Sequence, residues 1–430
     1  MPTCIDVFAG CGGLSLGLTR AGFEPLFAVE RHPSAFATYK HNLIDDAASA
    51  RWPDWLPLGP INAHCLVDDH HYELAALRGM VDLVAGGPPC QGFSTNGRRD
   101  PGDPRNALLD THLNIVDILR PSLVLIENVR GFASMPHPSG GTFPDYLSNR
   151  LAELGYDCWS QIVMASDYGV PQRRPRFIML AAASGALPGI NPFERLRVGR
   201  RAFLASHGLG PGETSAFEAI GDLEIGRTGT SPDPEWGTRG YEEPDWTEPE
   251  QLGPYLRLMR HGAAGRPRDM RLARHRLPST ERMRQILATC VAGRPLSTRD
   301  RARLGMAKRT TTPLAADAPA PTISTLPDDL VHYREPRTMT VREHARLQSF
   351  PDWFSFQGKY TTGGEDRTTD CPRYTQVANA VPPLLAEALG AVLIGLLRDL
   401  RKSGPDRCCV AAKPREGLGR DLEPAVANHA

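Results

Sequence analysis

The sequence predicts an α/β protein whose first part is a doubly wound sheet and whose second part is a smaller, irregular domain. Short apolar runs alternate with helix-compatible segments through the first 183 residues. Runs that are apolar throughout are typical of strands buried on both faces of a sheet. After Ala183 the alternation is lost, and glycine, proline and charged residues dominate as far as Pro336. We therefore expect a sheet covered by helices on both faces, followed by a second domain.

Six apolar runs are expected to form the strands of this sheet: TCIDVFAG, PLFAVE, VDLVAGG, LVLIENV, WSQIVMA and RFIMLAA. In the irregular part ERMRQILATC is helix-like, and further on residues 339–350 (MTVREHARLQSF) have helical periodicity. Residues 380–397 (AVPPLLAEALGAVLIGLL) predict a buried helix entered through prolines, which the first turn of a helix tolerates. From Gly404 onward a frayed tail is expected.

Composition argues against several classes of protein. The 430 residues are 41% hydrophobic and 23% charged, which is enough to bury the cores of two domains. No apolar run is expected to provide the roughly 18 to 20 residues of a membrane span, and the N-terminus lacks a secretory pattern. The nine cysteines include no CxxC pair, which indicates a reducing compartment and no structural metal. A cytoplasmic protein without a membrane partner is expected.

Charge is distributed unevenly along the chain, although 49 basic and 49 acidic residues cancel in the total. Arginines are concentrated between Arg257 and Arg309, whereas acidic residues gather just upstream, between Glu213 and Glu250. A zero net charge argues against indiscriminate coating of nucleic acid. The basic block still permits a local face that binds phosphates.

A glycine-rich turn follows the first predicted strand. It spans Asp6 to Gly13 and precedes a plausible helix, and the second predicted strand ends in Glu30, twenty residues after Gly10. Glycines allow the backbone to approach a ligand closely, and an acidic residue at this distance suits the ribose hydroxyls of a nucleoside cofactor. A tight structural turn with a surface glutamate explains the same pattern equally well.

Residues 86–94 (GGPPCQGFS) follow the strand-like run VDLVA, so Cys90 lies just past the carboxyl end of a strand. Open α/β sheets keep their sites at that edge. A thiolate is a good nucleophile and also a good leaving group, which suits reversible covalent catalysis. The alternative is a buried cysteine that acts as a small hydrophobe. The Pro-Pro-Cys turn favours the catalytic interpretation.

Two further charged positions border apolar strands. Glu127 ends LVLIENV, where a carboxylate is costly unless it is paired or catalytic, and adjacent strands would place it beside Cys90. Arg176 leads from QRRPR into the strand RFIMLAA, which favours a functional role for this side chain. Arg173 and Arg174, taken individually, also fit a solvated surface patch.

These motifs, in this order and spacing, resemble the DNA cytosine-5 methyltransferase family over nearly the whole chain. DVFAGCGGLSLGL is similar to its first cofactor motif, GGPPCQGFS to its nucleophile loop, ENV at 127–129 to its cytosine clamp, and QRRPR to its arginine motif. RTMTVREHARLQSFPD resembles the segment that organises the recognition domain, and RYTQVANAVPP the segment that returns to the cofactor pocket. Residues 184–336 match no transferable motif. One departure is Ala378, where the family usually has glycine.

The resemblance implies that Cys90 bonds transiently to a cytosine flipped out of a specific duplex DNA sequence, and that carbon 5 then receives a methyl group from S-adenosylmethionine. Glu127 would bind ring N3 and the exocyclic amine, and Arg176 the carbonyl at carbon 2, with Arg174 completing the arginine motif. Residues 91–106 would be a loop that closes over the site, unless they are simply a disordered polar loop. No metal is implied. The implied cofactor-binding residues are Phe8, Ala9, Gly10, Gly12, Gly13, Glu30, Asp69, Pro89 and Asn379.

The same resemblance implies the domain organisation and the partners. The fold would be the Rossmann-like methyltransferase variant of the doubly wound sheet, with residues 1–185 completed by 370–403. Residues 186–369 would form the target-recognition domain and hinge, and 404–430 a flexible tail. Double-stranded DNA would be the partner of a monomer, in a restriction-modification or related epigenetic system where a cognate endonuclease acts separately.

Three other classes of protein share some of these features. Amino-methylating DNA enzymes carry an aromatic residue after the Pro-Pro pair, where this chain has Cys90. An RNA cytosine-5 methyltransferase would share the motifs but have a shorter recognition region. A catalytically silent DNA-binding regulator would need neither Cys90, Glu127 nor Arg176. The sequence therefore favours a DNA enzyme.

Overall fold

The computed structural model describes residues 1–45, 52–89, 107–361 and 370–402. Its strands are β1 (Thr3–Val7), β2 (Glu24–Val29), β3 (Leu83–Gly86), β4 (Leu123–Val129), β5 (Tyr156–Met164), β6 (Gln172–Arg173), β7 (Pro175–Ala183), β8 (Thr230–Pro232), β9 (Glu242–Pro244), β10 (Thr312–Pro313), β11 (Ala320–Pro321) and β12 (Leu330–Val331). All six strands predicted from apolar runs are present.

The described helices alternate with the long strands and then continue into the irregular part. They are α1 (Gly13–Ala21), α2 (Pro33–Lys40), α3 (Ala63–Asp69), α4 (His71–Ala76), α5 (Ala107–Leu119), α6 (Phe143–Glu153), α7 (Pro192–Ser206), α8 (Ala216–Ile220), α9 (Ile225–Thr228), α10 (Pro254–Arg260), α11 (Leu277–Thr289), α12 (Thr298–Arg303), α13 (Val341–Leu347), α14 (Arg373–Asn379) and α15 (Pro383–Lys402). α11, α13 and α15 lie within or across the three segments predicted to be helical.

The main sheet has the strand order β2-β1-β3-β4-β7-β5. β1 to β4 are parallel, whereas β7 lies antiparallel between β4 and β5. Only residues 165–174 connect β5 to β7, and a parallel connection needs a dozen or more residues. The short connection therefore makes β7 return antiparallel, which the apolar runs alone did not predict.

Both faces of the sheet are covered by helices. Successive side chains of each strand point to opposite sides, so each strand contributes to two cores. In β4, Leu123 and Leu125 join a core with α1 and α15, while Val124 and Ile126 join a second core with α5 and α6. The doubly covered α/β sheet predicted from the sequence is therefore confirmed.

α1 and α15 pack closely at two glycines. A Cβ atom on Gly17 would lie 2.4 Å from the Cβ of Ala386, and one on Gly390 would lie 2.5 Å from the Cβ of Ala21. This contact brings the end of the chain back beside β1. Within the described residues, the helical stretch 373–402 is long and apolar enough to span a membrane by composition, but 72% of its apolar window is buried in the fold. The core packing accounts for its apolar composition.

The region after Ala183 contains short helices and two-residue or three-residue strands, as its composition predicted. Two of its contacts with the first part of the chain are made by β11 and α13. β11 pairs with β6, directly before β7, and α13 is buried between the two parts of the chain. α13 carries Arg342 and Arg346, whose side chains are fully buried and paired with carboxylates.

Candidate active site

The turn after β1 is held by the carboxylate of Glu30. The backbone N–H of Gly10 donates to Glu30 Oε2 at 2.9 Å, and that of His32 donates to Oε1 at 2.7 Å. Phe8 and Gly10 both adopt positive φ angles, 67° and 57°. For a bulky residue such as Phe8 this conformation is strained and is often found at functional sites. The two backbone bonds fix Glu30 beside the turn.

The space beside this turn fits a nucleoside cofactor. A Cβ atom on Gly10 would meet no atom of the described residues within 4 Å, so the backbone there borders an open cradle. Each carboxylate oxygen of Glu30 has acceptor capacity beyond its one backbone bond, which suits ribose hydroxyls. In contrast, a Cβ on Gly13 would lie 2.3 Å from the carbonyl oxygen of Val381, because the segment before α15 packs directly on the turn. Glycine is needed at that position for packing.

The predicted adenine-contacting acid, Asp69, is not brought to this cradle by any described contact. Asp69 is the exposed last residue of α3, about 9 Å along the helix axis from Ala63. The segment that contacts Glu30 directly is the one before α3, since the N–H of Ile61 donates to the Glu30 carbonyl at 2.8 Å. The structure therefore places Ile61 beside Glu30, and the role of Asp69 stays a prediction.

Glu127, near the carboxyl end of β4, and Arg176, at the start of β7, form a buried ion pair. Arg176 Nε lies 2.7 Å from Glu127 Oε1, and the side chains are 8% and 11% exposed. The antiparallel register, in which Arg176 faces Val129, brings the two residues together. Burial raises the pKa of Glu127, while the charges of Arg176 and Arg174 oppose that rise. The pair provides a carboxyl that can hold a proton next to a fixed cation.

The residues leading to Cys90 run along this carboxylate. A Cβ atom on Gly87 would lie 3.1 Å from Glu127 Oε2, so only glycine allows the backbone to approach so closely. The side chain of Asn128 donates from Nδ2 to the carbonyl of Pro88 at 3.2 Å. Pro89 is the last described residue of this segment, and Cys90 and residues 91–106 lie outside the described residues. The predicted nucleophile thus follows directly after a backbone stretch anchored beside Glu127.

The three arginines of QRRPR have different environments. Arg173 is exposed and paired with Glu213 at 2.8 Å, as expected for a surface residue. Arg174 is buried, and its Nη2 donates to the carbonyls of Ala378 and Ala380. These contacts position the end of α14, and the charge of Arg174 also opposes the burial-driven rise in the pKa of Glu127, so its predicted place in the catalytic site stays a prediction. A surface location for Arg174 is wrong.

α14 carries Asn379 at its last position, with an exposed side chain. The next residue, Ala380, packs on the turn after β1, because its Cβ would lie 3.2 Å from a Cβ atom on Gly13. Ala378 is buried in the core with Leu384 and Leu389, so its methyl group packs among apolar side chains. The glycine-to-alanine departure is therefore accommodated by the core.

Two buried polar residues near the turn were not identified from the sequence. The imidazole of His112 stacks on Phe8 with ring centroids 6.4 Å apart, has no hydrogen-bond partner among the described residues, and has its pKa lowered to about 4 by burial. Asp6 accepts a hydrogen bond from Ser15 at 2.6 Å, and burial raises its pKa to about 7. Both are polar residues in apolar runs, the same signal that identified Glu127.

Within the described ranges, no group of three or more His, Cys, Asp and Glu side chains is arranged to hold a metal ion. The chemistry available from the described residues is that of a buried acid, a fixed arginine and a glycine-lined cradle. These lie at one end of the sheet, with the anchored approach to Cys90 between them.

Comparison with known proteins agrees with this geometry. The sequence model of the family "C-5 cytosine-specific DNA methylase" matches residues 2–195 and 259–395. The chain is 32% identical over 416 residues to Type II methyltransferase M.XorII from Xanthomonas oryzae, covering 92% of this chain and 85% of that relative. It is 31% identical over 400 residues to Type II methyltransferase M.DdeI from Desulfomicrobium norvegicum, with 90% and 86% covered.

Two solved structures share the fold. A putative DNA modification methyltransferase encoded within an E. coli prophage has a TM-score of 0.59 at 24% identity, with 93% of this chain and 100% of that chain covered. The S. pombe Dnmt2 methyltransferase has a TM-score of 0.52 at 15% identity, again with 93% and 100% covered. From the family match and the relatives, the chain belongs to the C-5 cytosine-specific DNA methylase family and is a DNA (cytosine-5)-methyltransferase.

Proposed function

We propose that this enzyme methylates carbon 5 of a cytosine flipped out of a specific duplex DNA sequence, through a transient covalent bond between Cys90 and carbon 6. The observation that carries this mechanism is the buried Glu127–Arg176 pair, 2.7 Å apart, beside the backbone that leads to Cys90. Flipping the base costs a few kcal/mol of stacking and pairing, which binding to the protein offsets.

The residues act on the cytosine ring in a defined order. Carbon 5 is a poor nucleophile until the Cys90 thiolate adds to carbon 6, and protonation at N3 by the Glu127 carboxyl accepts the electron density that this addition releases. Burial of Glu127 favours the protonated form needed for that step. Arg176 holds Glu127 in place and binds the oxygen at carbon 2. Once carbon 5 carries the methyl group, a base removes its proton, the bond between carbon 6 and Cys90 breaks to release the thiolate, and N3 returns its proton to Glu127.

The cradle at the β1 turn is proposed to bind S-adenosylmethionine, as use of this cofactor is general in methyltransferases. When bound, S-adenosylmethionine supplies an electrophilic methyl group on a sulfonium sulfur. Glu30 accepts hydrogen bonds from the ribose hydroxyls, and the open face of Gly10 admits the cofactor close to the backbone. Phe8, Ala9, Gly12, Gly13, Pro89 and Asn379 are proposed to complete this pocket, and the described contacts give Asp69 no support.

We also propose which parts of the chain carry out catalysis and which recognise DNA. Residues 1–185 with 370–403 would carry the chemistry, and 186–369 would recognise the DNA sequence. Because its relatives bear the name Type II methyltransferase, we propose that the enzyme protects DNA in the cytoplasm from a separate cognate endonuclease, and that it acts as a monomer. The RNA alternative is not adopted, because the family model that matches the chain is that of a cytosine-specific DNA methylase.

Bisulfite sequencing tests the proposal. A plasmid is recovered from a host lacking cytosine methylation that expresses either this chain or the variant Cys90→Ala. Cytosines protected at one recurring sequence, and unprotected with the variant, are the expected result. Protection that persists with Cys90→Ala would refute the covalent mechanism, and no protection by the native chain would refute the DNA substrate. Binding of the purified variant to duplex DNA serves as the control for folding.

A further inference from the structure

Positive charge is densest around α11 and α12. Residues 276–309 contain nine basic residues against two acidic ones, Glu281 and Asp300. These two helices have a small core of their own, formed by Met283, Ile286 and Leu296 together with Leu304 and Val331. The arginines lie outside this core, so α11 and α12 can pack around it when the arginines are substituted.

The upstream half of the basic block is different, because its arginines are part of the fold. Arg260 is buried against Asp352 and lies 4.5 Å from the ring centroid of Trp246. Arg271 lies over the ring of Tyr360 at 3.7 Å and over that of Tyr241 at 4.3 Å. Such arginines are occupied by protein groups. Substituting them would disturb the fold rather than report on DNA binding.

The acidic block does not neutralise α11 and α12 either. Its carboxylates pair with arginines from other segments. The pairs are Glu213 with Arg173, Asp222 with Arg346, Glu224 with Arg334, Glu235 with Arg373, and Glu243 with Arg266. The acidic block therefore pairs with Arg260 and Arg266 in the upstream half of the basic block, and among the described residues it forms no ion pair with the arginines of α11 and α12.

Apart from Arg284, which is paired with Glu281, the exposed arginines of α11 and α12 lie on one face. Arg303 Nη2 donates to Thr289 Oγ1 at 2.7 Å, which places α12 beside the end of α11. Arg282 lies two turns before Thr289 on α11, and Arg299 lies one turn before Arg303 on α12. The connection between the helices adds exposed Arg294. We call Arg282, Arg294, Arg299 and Arg303 the basic face.

Three of these four side chains are available to a ligand. Among the described residues Arg282, Arg294 and Arg299 form no ion pair, while Arg303 is paired with Asp300 at 3.0 Å. The unit is fastened to β10 by the backbone bonds from Gly293 to Pro313 and from Leu296 to Thr311. The chain then continues through β11, which pairs with the arginine-motif strand β6. The basic face is thus bonded to the segment that leads through β10 and β11 to the arginine-motif strand β6.

We propose that the basic face binds the phosphates of duplex DNA beside the target site, without reading base sequence. Guanidinium groups bind phosphates in bidentate geometry, and exposed unpaired arginines supply sequence-independent affinity through counterion release. This proposal rests on the proposed function, because it assumes duplex DNA as the substrate. It assigns the phosphate contacts to α11 and α12 and excludes Arg260 and Arg271 from them.

The test uses the full chain with Arg282→Ala, Arg294→Ala and Arg299→Ala combined. Affinity for a labelled duplex is measured by fluorescence anisotropy between about 50 and 200 mM salt, where log K falls by about 0.9 per log unit of salt for each phosphate contact. The slope is expected to become shallower by between about 2 and 3, with a higher KM for DNA and a retained kcat. The corresponding triple Arg→Lys variant should keep most of the slope, because the point charges remain.

The matched control is Arg201→Ala with Arg398→Ala, two exposed arginines on α7 and α15. It should leave both the slope and the activity unchanged. A triple Ala variant that folds and has the native slope would overturn the proposal, as would an equal loss in the control variant. Failure of the native enzyme to methylate DNA would instead overturn the proposed function, so the two failures are distinguishable.

Discussion

Arg346 joins the two parts of the chain through buried charges, and removing it gives a measurable prediction. On α13, the guanidinium binds Asp352 through Nε and Nη2, each at 2.8 Å, and also binds Asp222. Arg346 and Asp352 are completely buried, and Asp222 is nearly so. These carboxylates raise the pKa of Arg346 despite its burial. The side chain therefore remains a cation inside the fold.

The variant Arg346→Met keeps an unbranched apolar chain of about the length of the arginine's aliphatic part and removes the charged guanidinium. Asp352 would retain Arg260 at 3.4 Å, but among the described residues Asp222 has no other ion-pair partner. Breaking a buried pair by removing one partner costs about 3 to 5 kcal/mol, because the remaining charge is left in a poorly solvated place. We expect a loss of this size in the free energy of unfolding, a large share of the roughly 5 to 15 kcal/mol typical of a domain.

Urea unfolding followed by intrinsic fluorescence measures this loss. The control is Arg197→Met, whose pair with Glu194 has side chains 72% and 54% exposed, so its removal should leave the free energy of unfolding almost unchanged. Combining Arg346→Met with Asp222→Asn should recover part of the stability, because the unpaired carboxylate is then neutral. A loss no larger than that of the control, or no recovery in the double variant, would refute the role assigned to this network.

Three further predictions concern the site. Glu127→Gln cannot donate a proton to N3, so kcat should fall by about 10² to 10⁴ while the Kd for DNA holds, and a kcat within a few-fold of native would contradict the assignment. Glu30→Gln should raise the Kd for S-adenosylmethionine about 10-fold to 100-fold by calorimetry, since bonds to a charged acceptor contribute about 1.5 to 3 kcal/mol. The lowered pKa of His112, about 4, means that the unfolded chain binds the extra proton between pH 6.5 and 4. The free energy of unfolding is therefore unaffected by His112 protonation above pH 6.5 and decreases by about 3 kcal/mol as the pH falls to 4. His112→Phe should flatten this pH dependence of stability. The control variant His71→Gln, at an exposed position, should not flatten it.

The strands and the principal site residues could be predicted because their signals are local. A short apolar run rich in β-branched residues and bounded by glycine or proline is typical of a buried strand, and a carboxylate such as Glu127 at the end of one is costly unless it is paired or catalytic. The same rule applied to Asp6 and His112 would have found them. Asp69 stays a prediction from the resemblance, since Asp68 adjoins it and neither has a described contact with Glu30.

The sequence by itself determined the six strands, the wrapping of the sheet by helices, and the identity of Cys90, Glu127, Arg176 and Glu30 as the residues of interest. Only the tertiary structure decided which charges face one another. Linear proximity put opposite charges in adjacent blocks, but folding paired Asp222 with Arg346 and Glu235 with Arg373. It also turned Arg174 inward to hold α14. Pairing depends on which backbone segments pack together, and a charged side chain gives no local signal of its distant partner.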